Sequence, residues 1–394
     1  MNKDTKKINI GLFIDTFYPM IDGVVVVVDN YAKRLAKYAN VYVFAPGLND
    51  GYDDTRFNYK VIRCKSFKVP FLDYSLAITS KKFKKQLEEY NLDIVHIHSP
   101  ATIGKCGIKY AKRHNVVSIG TIHSQFKQDF KRAVKFSFLV NILVKKIRKF
   151  FDKCDYVWTV NDKISEVFKS EYGYNKKTKT MRNATEFLPI KNKKDAIDFI
   201  NSKYNIDNSY KVFLFVGRIN LLKNVDFIIR SLKILKEKQP DFKYKMLFVG
   251  SGQDEEILNK LIKECNLSND VIMCGRVTDR LELALYYKRA DLFLFPSLYD
   301  TSSLVQVEAA SQETPTVFIK GSVTSSTVTN NINGYLVENN EEAFALKIIE
   351  IFSDLGKYKK VCKNAFRDLY ISWDDSVNIV YKEYMECIKR NGKK

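Results

Sequence analysis

Two carboxylates, Asp300 and Glu308, sit eight positions apart in the run Pro296-Ser297-Leu298-Tyr299-Asp300-Thr301-Ser302-Ser303-Leu304-Val305-Gln306-Val307-Glu308-Ala309-Ala310. They follow Leu292-Phe293-Leu294-Phe295, an apolar run that reads as a buried parallel strand ending at Pro296. With a helix beginning at Ser303, Asp300 falls in the loop before it and Glu308 more than one turn inside. The backbone N–H groups of Thr301, Ser302, Ser303 and Leu304 then point out of the helix start, where an anion or a sugar hydroxyl can take them. One carboxylate can accept hydrogen bonds from a sugar and the other from a ribose, so the pair suits a sugar nucleotide. Taken alone, the same spacing reads more simply as a capping aspartate and a solvated glutamate; the motifs around it decide.

Upstream lies Val216-Gly217-Arg218-Ile219-Asn220-Leu221-Leu222-Lys223-Asn224, directly after another strand-like run. The glycine permits a sharp turn, and Arg218 and Lys223 project from one short loop and the helix start behind it. Two cations so placed suit a diphosphate, the arginine by a bidentate grip and the lysine as a point charge. Three of the four histidines also cluster: His96 and His98 share one face of a strand, and His123 ends the next. That geometry is open to a metal, but no nearby carboxylate or cysteine completes a ligand set, so buried, hydrogen-bonded histidines are expected.

On these residues the chain resembles the retaining glycosyltransferases of family 4, which have the GT-B fold and carry Glu-x7-Glu where Asp300 and Glu308 stand. The aspartate shortens the reach by one methylene, which bears on donor choice rather than on fold. The resemblance implies that Arg218 and Lys223 contact a donor diphosphate and that His123 touches the donor sugar near its reactive carbon. It also places Phe17-Tyr18-Pro19-Met20-Ile21-Asp22-Gly23-Val24 over the diphosphate or the acceptor. Family members commonly have Gly-Gly there, so only Gly23 carries over, and Pro-x-x-Asp-Gly is equally an ordinary turn. Phe248-Val249-Gly250-Ser251-Gly252 and Gly275-Arg276-Val277-Thr278 resemble two more landmarks, a glycine turn with Gly250 and the loop beside the base with Arg276. All occur in family order over residues 8 to 380. No cofactor is implied beyond the nucleoside diphosphate sugar as co-substrate. With no Asp-x-Asp in the sequence, a divalent metal is expected to be dispensable.

The elements that must position these residues alternate along the chain. Strand-like runs fall at 8–14, 41–44, 94–97, 117–121 and 156–159, then at 212–216, 245–249, 271–274, 292–295, 316–319 and 334–337. Helical patterns at 26–38, 81–90, 104–114, 225–238, 254–265 and 281–290 separate them, as in doubly wound α/β folds. The 394 residues suggest two domains. Two facing Rossmann-like domains are expected, 1–188 for the acceptor and 189–372 for the nucleotide sugar, with the motifs lining a cleft at the carboxyl ends of the strands. The boundary is set in the polar stretch 189–208. The resemblance implies that a last helix, 373–394, crosses back to the first domain.

Composition narrows the setting. Hydrophobic residues at 45% and charged residues at 28% describe a globular protein. The start reads as no secretory leader, no apolar run approaches the roughly 20 residues that span a bilayer, and seven cysteines without a Cys-x-x-Cys pair read as reduced thiols. The net charge of +20 is uneven: residues 1–200 hold 37 Lys+Arg against 20 Asp+Glu, and residues 201–394 hold 28 against 25. A one-sided basic half commonly faces an anionic partner.

Segment 127–153 concentrates that charge, with nine Lys/Arg interleaved with phenylalanines and branched aliphatics. As a helix it has one apolar and one cationic face and can lie on an anionic membrane through Lys131, Arg132, Lys135, Lys145, Lys146, Arg148 and Lys149. A core-packing helix with a solvated face is the plainer alternative. The same ingredients serve single-stranded nucleic acid, but no nucleic-acid module accompanies them and no such partner is expected. The expected protein is a retaining, metal-independent hexosyltransferase peripheral to the inner face of the cell membrane. Its donor is expected to be UDP-linked, with glucose favoured, and its acceptor a lipid such as diacylglycerol. A surface polysaccharide or protein glycan as acceptor, or a non-catalytic sugar-nucleotide-binding subunit, are the rivals.

Overall fold

The computed structural model describes residues 7–47, 52–68, 75–302 and 304–392. They form two compact units, Met1–Asn183 with Trp373–Lys394, and Ala184–Ser372.

The first unit is built on an eight-stranded sheet: β1 (Asn9–Phe13), β2 (Asn40–Gly47), β3 (Lys60–Lys68), β4 (Ser75–Ile78), β5 (Ile94–Ile97), β6 (Val117–Ile122), β7 (Tyr156–Thr159) and β8 (Thr178–Thr180). Their spatial order is β4-β3-β2-β1-β5-β6-β7-β8. Every pair is parallel except the edge pair β3 and β4. Buried runs such as Ile94-Val95-His96-Ile97 make the centre, as expected of strands covered on both faces. The helix Gly23–Leu35 begins three residues before the expected Val26, because the Asp22 side chain caps it, accepting from Val25 N at 2.8 Å. The last helix, Trp373–Asn391, packs in this unit: Trp373 meets Tyr31 edge-on at 5.9 Å, and Tyr384 stacks on Trp158 at 5.6 Å.

The second unit holds six parallel strands, β9 (Lys211–Val216), β10 (Tyr244–Val249), β11 (Val271–Gly275), β12 (Leu292–Phe295), β13 (Thr316–Ile319) and β14 (Tyr335–Val337), ordered β11-β10-β9-β12-β13-β14. In each sheet the chain order reverses once, between β1 and β5 and between β9 and β12. The carboxyl ends of the strands beside such a reversal are where doubly wound sheets bind ligands.

Three expectations need correction. The stretch 189–208 is not a boundary. It contains the helix Lys193–Tyr204, which lies against the helix Arg280–Arg289 through Lys203 to Glu282 at 2.6 Å and Arg289 to Asn201 at 2.7 Å, so the division falls at Asn183. Strands β3, β4 and β8 fell outside the expected set. Lysine and arginine take four of the nine positions of β3, the edge strand β4 exposes Leu76 and Ile78, and the edge strand β8 has three residues; strands of this kind lack an apolar signature. Segment 127–153 is two helices, Phe126–Ala133 and Ser137–Phe151, because the backbone is extended at Val134 and Phe136.

Candidate functional site

In the second unit, the loops after β9 and β12 flank the point of strand reversal. A short 3-10 turn, Leu221–Lys223, carries Lys223, and Asn224 follows it with a left-handed φ of 60°. Asn224 Nδ2 donates to the Pro296 carbonyl at 3.2 Å, tying this loop to the one that bears Asp300. Lys223 Nζ then pairs with Asp300 Oδ1, with each side chain about four-fifths buried at 20% and 19% exposure. The two residues belong to separate motifs in the sequence; the fold makes them partners. Around them, the Ser297 hydroxyl accepts from Tyr299 N at 3.3 Å and from Asp300 N at 3.4 Å, which shapes the turn.

The helix Leu304–Ser311 begins at the end of this loop and places Glu308 more than one turn in, nearly buried at 7% exposure. Thr301 is buried and Ser302 half-buried; Ser303 lies outside the described residues. Both Glu308 oxygens are held. Arg280 Nη2 donates to Oε1 at 2.6 Å, and the Tyr287 hydroxyl donates to Oε2 at 2.9 Å. Arg280 also reaches Glu186 at 2.7 Å and lies over the Phe187 ring at 4.2 Å. Burial, then the Glu308 charge, pushes the Tyr287 phenol well above its ordinary value, so it stays protonated and keeps donating. Arg280 and Tyr287 were missed in the sequence. Their seven-residue separation puts them on one helix face, but nothing in it points to a glutamate 21 positions further on.

The other expected donor residues sit on the carboxyl ends of β9, β10 and β11. Gly217 N donates to Val249 O at 3.0 Å, Ile219 N to Ser251 O at 3.1 Å, and Gly250 N to Gly275 O at 2.8 Å. A Cβ on Gly250, whose φ is 140°, would stand 1.9 Å from the Gly217 carbonyl oxygen. Gly250 therefore lets the loops close together and orients the one bearing Arg218. Arg218 and Arg276 are both exposed.

In the first unit the reversal lies between β1 and β5, and Asp15, His96, His98 and His123 lie on the strands and loops around it. Asp15 follows β1 and accepts from Ile103 N at 2.8 Å and Gly104 N at 3.3 Å, at the start of the helix Thr102–His114. Desolvation nevertheless raises its pKa to about 6, against the opposing effect of those amides. His96 uses both ring nitrogens, Nδ1 with the Tyr384 hydroxyl at 2.5 Å and Nε2 with Thr121 Oγ1 at 2.6 Å, which leaves it no lone pair for a metal. His98 Nδ1 meets His123 Nε2 at 3.0 Å. Burial holds all three histidines neutral, His123 with a pKa near 3. Among the described residues no group of three His, Cys, Asp or Glu is arranged to hold a metal ion. Gly23 opens the helix Gly23–Leu35, and Asp22, standing in for the first glycine, is its cap.

The basic segment presents an apolar patch. The helix Ser137–Phe151 buries Val140, Val144, Phe150 and Phe151, while Phe136, Phe138, Leu139 and Ile142 stay exposed, Phe136 at 63% and Phe138 at 60%. Lys131, Arg132, Lys135, Lys145, Lys146 and Lys149 are exposed around them. Arg148 is the exception among the expected contacts: it is half-buried and turned toward Asp152 at 3.5 Å. Among the described residues no helix is long and apolar enough to cross a membrane.

Two α/β units on mainly parallel sheets, each with one strand reversal, are consistent with the GT-B fold. The family model for glycosyltransferase family 4 matches residues 21–186 and that for glycosyl transferases group 1 matches residues 196–368. The chain belongs to the family 4 glycosyltransferases. Alpha-monoglucosyldiacylglycerol synthase of Acholeplasma laidlawii is 25% identical over 406 aligned positions, covering 98% of each chain. The enzyme of the same name from Streptococcus pneumoniae is 26% identical over 78% of this chain and 70% of its own. Among solved structures, sucrose-phosphate synthase of Thermosynechococcus elongatus superimposes with a TM-score of 0.79 at 19% identity, over 98% of this chain and all of that one. Anabaena HepE in complex with UDP and glucose gives 0.73 at 16% identity, over 95% of this chain and 98% of its own.

Proposed function

We propose that this chain transfers glucose from UDP-glucose to a hydroxyl of a membrane lipid such as diacylglycerol, with retention of configuration and without a divalent metal. The observation that carries the reading is the carboxylate and cation group at the β9/β12 reversal, with Lys223 beside Asp300 and Glu308 clamped by Arg280 and Tyr287. Arg218 and Lys223 stabilise the departing diphosphate. Glu308 accepts from the ribose, and its two protein donors fix it in one orientation before the nucleotide arrives. Asp300 and the amides before the helix Leu304–Ser311 hold the sugar hydroxyls, and His123 supports charge developing at the anomeric carbon. The work of such a site is positional and electrostatic, concentrated where charge grows in the transition state.

The lipid acceptor is supported by the likeness to the Acholeplasma synthase over 98% of both chains and by the apolar patch ringed with cations on the first unit. Phenylalanines entering the headgroup region and lysines meeting anionic lipid would hold the protein on a bilayer surface. The test is incubation of purified protein with a panel of labelled sugar nucleotides and total membrane lipid. Label from UDP-glucose entering the organic phase is the expected result. Label that stays aqueous but joins a glycan moves the acceptor to a polysaccharide, and no transfer from any donor removes the catalytic reading.

A further inference from the structure

The pairing of His98 with His123 has no part in the roles given above, yet it fixes what His123 can offer a ligand. His98 stands at the carboxyl end of β5 and is held by its own backbone, with N donating to Phe13 O at 2.8 Å. Its ring is 3% exposed and packed against His96 at 4.0 Å between centroids and against Tyr31, edge-on, at 5.9 Å. The only polar contact of that ring among the described residues is Nδ1 to His123 Nε2 at 3.0 Å; Nε2 is buried and has no hydrogen-bond partner among them.

Both imidazoles are neutral, so each carries one N–H and one bare nitrogen, and one proton lies in the contact between them. If His123 Nε2 were the donor, His98 would carry its proton on Nε2, a buried N–H with nothing to accept it. If His98 Nδ1 is the donor, its Nε2 is a buried lone pair with no donor facing it among the described residues. Orphaned buried N–H groups are the rarer defect, because acceptors are left under-satisfied more often than donors. The second arrangement places the His123 proton on Nδ1. That nitrogen has no hydrogen bond to any described residue, and His123 as a whole is half-buried.

We infer that His98 is a positioning residue that locks His123 as its Nδ1–H tautomer, so that His123 presents a hydrogen-bond donor, and not a bare nitrogen, to an oxygen of the donor sugar. The inference rests on the reading that His123 touches that sugar. It makes His123 a neutral donor rather than a base.

Two measurements test it. In histidine-labelled protein without substrate, 15N NMR should show His123 protonated at Nδ1 and bare at Nε2. In His98→Phe the two His123 tautomers should mix, and kcat with UDP-glucose should fall about tenfold, the size of one lost hydrogen bond, while KM stays within about twofold. His98→Asn, whose side-chain amide N–H can stand where Nδ1–H does, should recover most of kcat. Protonation of His123 at Nε2 in the unaltered protein, a tautomer that ignores His98→Phe, or an asparagine variant no better than phenylalanine overturns the inference. Absence of any sugar transfer by the unaltered protein overturns the functional reading instead, and the NMR experiment still decides the tautomer.

Discussion

Lys223 and Asp300 pair across the point where the order of the second sheet reverses, one from the loop after β9 and the other from the loop after β12. The cation proposed to meet a leaving diphosphate is thus held by the carboxylate proposed to hold the sugar. The pair keeps a lysine with several rotatable bonds in one orientation before any donor binds, which lowers the ordering cost of binding.

Lys223→Ala should lose transfer strongly while the fold persists. One charge-assisted contact to the departing diphosphate is worth about 2–4 kcal/mol in the transition state, roughly 30- to 1000-fold in rate. Initial rates with UDP-glucose, beside an unchanged circular dichroism spectrum, check this; near-normal turnover removes Lys223 from the mechanism.

Tyr287→Phe should weaken both stability and donor affinity. It deletes the hydroxyl that donates to Glu308 Oε2 and leaves a nearly buried carboxylate oxygen short of a partner. The cost is about 1–3 kcal/mol in urea unfolding, with a higher KM for the nucleotide sugar. A variant as stable as the unaltered protein would mean that Glu308 is held by Arg280 alone.

Asp15 carries a pH signature. Its folded pKa, raised to about 6 mainly by desolvation, exceeds the ordinary 3.8, so between those values the folded state holds a proton that the unfolded chain has lost. Stability from this group is complete below pH 4 and is lost as pH rises through 6. The histidines, with pKa values lowered by burial, act in the opposite sense over the same range, so the difference between the unaltered protein and Asp15→Asn isolates the aspartate. Unfolding free energies at pH 4.5 and 7.5 should show the asparagine variant gaining on the unaltered protein toward high pH. A difference independent of pH would place Asp15 in a more polar setting.

Transfer should persist in excess EDTA, because Arg218, Lys223 and helix amides supply the neutralisation that a metal would otherwise bring. Loss of activity that magnesium restores would reassign the diphosphate site.

Replacing Lys131, Lys135, Lys145 and Lys146 with glutamine should release the protein from anionic vesicles while hydrolysis of soluble donor continues. All four side chains are exposed, unlike Arg148. Each basic residue near such a surface contributes on the order of 1 kcal/mol, so four should weaken binding by several powers of ten. Sedimentation with vesicles of stated anionic content checks it, and equal binding by the variant would leave Phe136, Phe138 and Ile142 as the whole anchor.

What the sequence determined by itself was local. Asp300 and Glu308 belong to one loop and helix, and Arg218 and Lys223 to one loop, so their placement followed from strand ends and helix starts that a few neighbouring residues dictate. The central strands were equally legible, because burial on both faces demands an unbroken apolar run. Tertiary structure decided the rest. The cationic strand β3 exists because β2 supplies its ladder hydrogen bonds, whatever its side chains suggest. Helix Lys193–Tyr204 reads as a polar boundary in the sequence because the face it buries is set by its neighbour, Arg280–Arg289. The donors that hold Glu308 come from a helix more than twenty residues upstream, and the partner of His123 from the adjoining strand β5. Local propensity knows nothing of such neighbours. A side chain's partner is chosen by the packing that brings two distant segments within about 3 Å of each other, and that packing is a property of the whole fold.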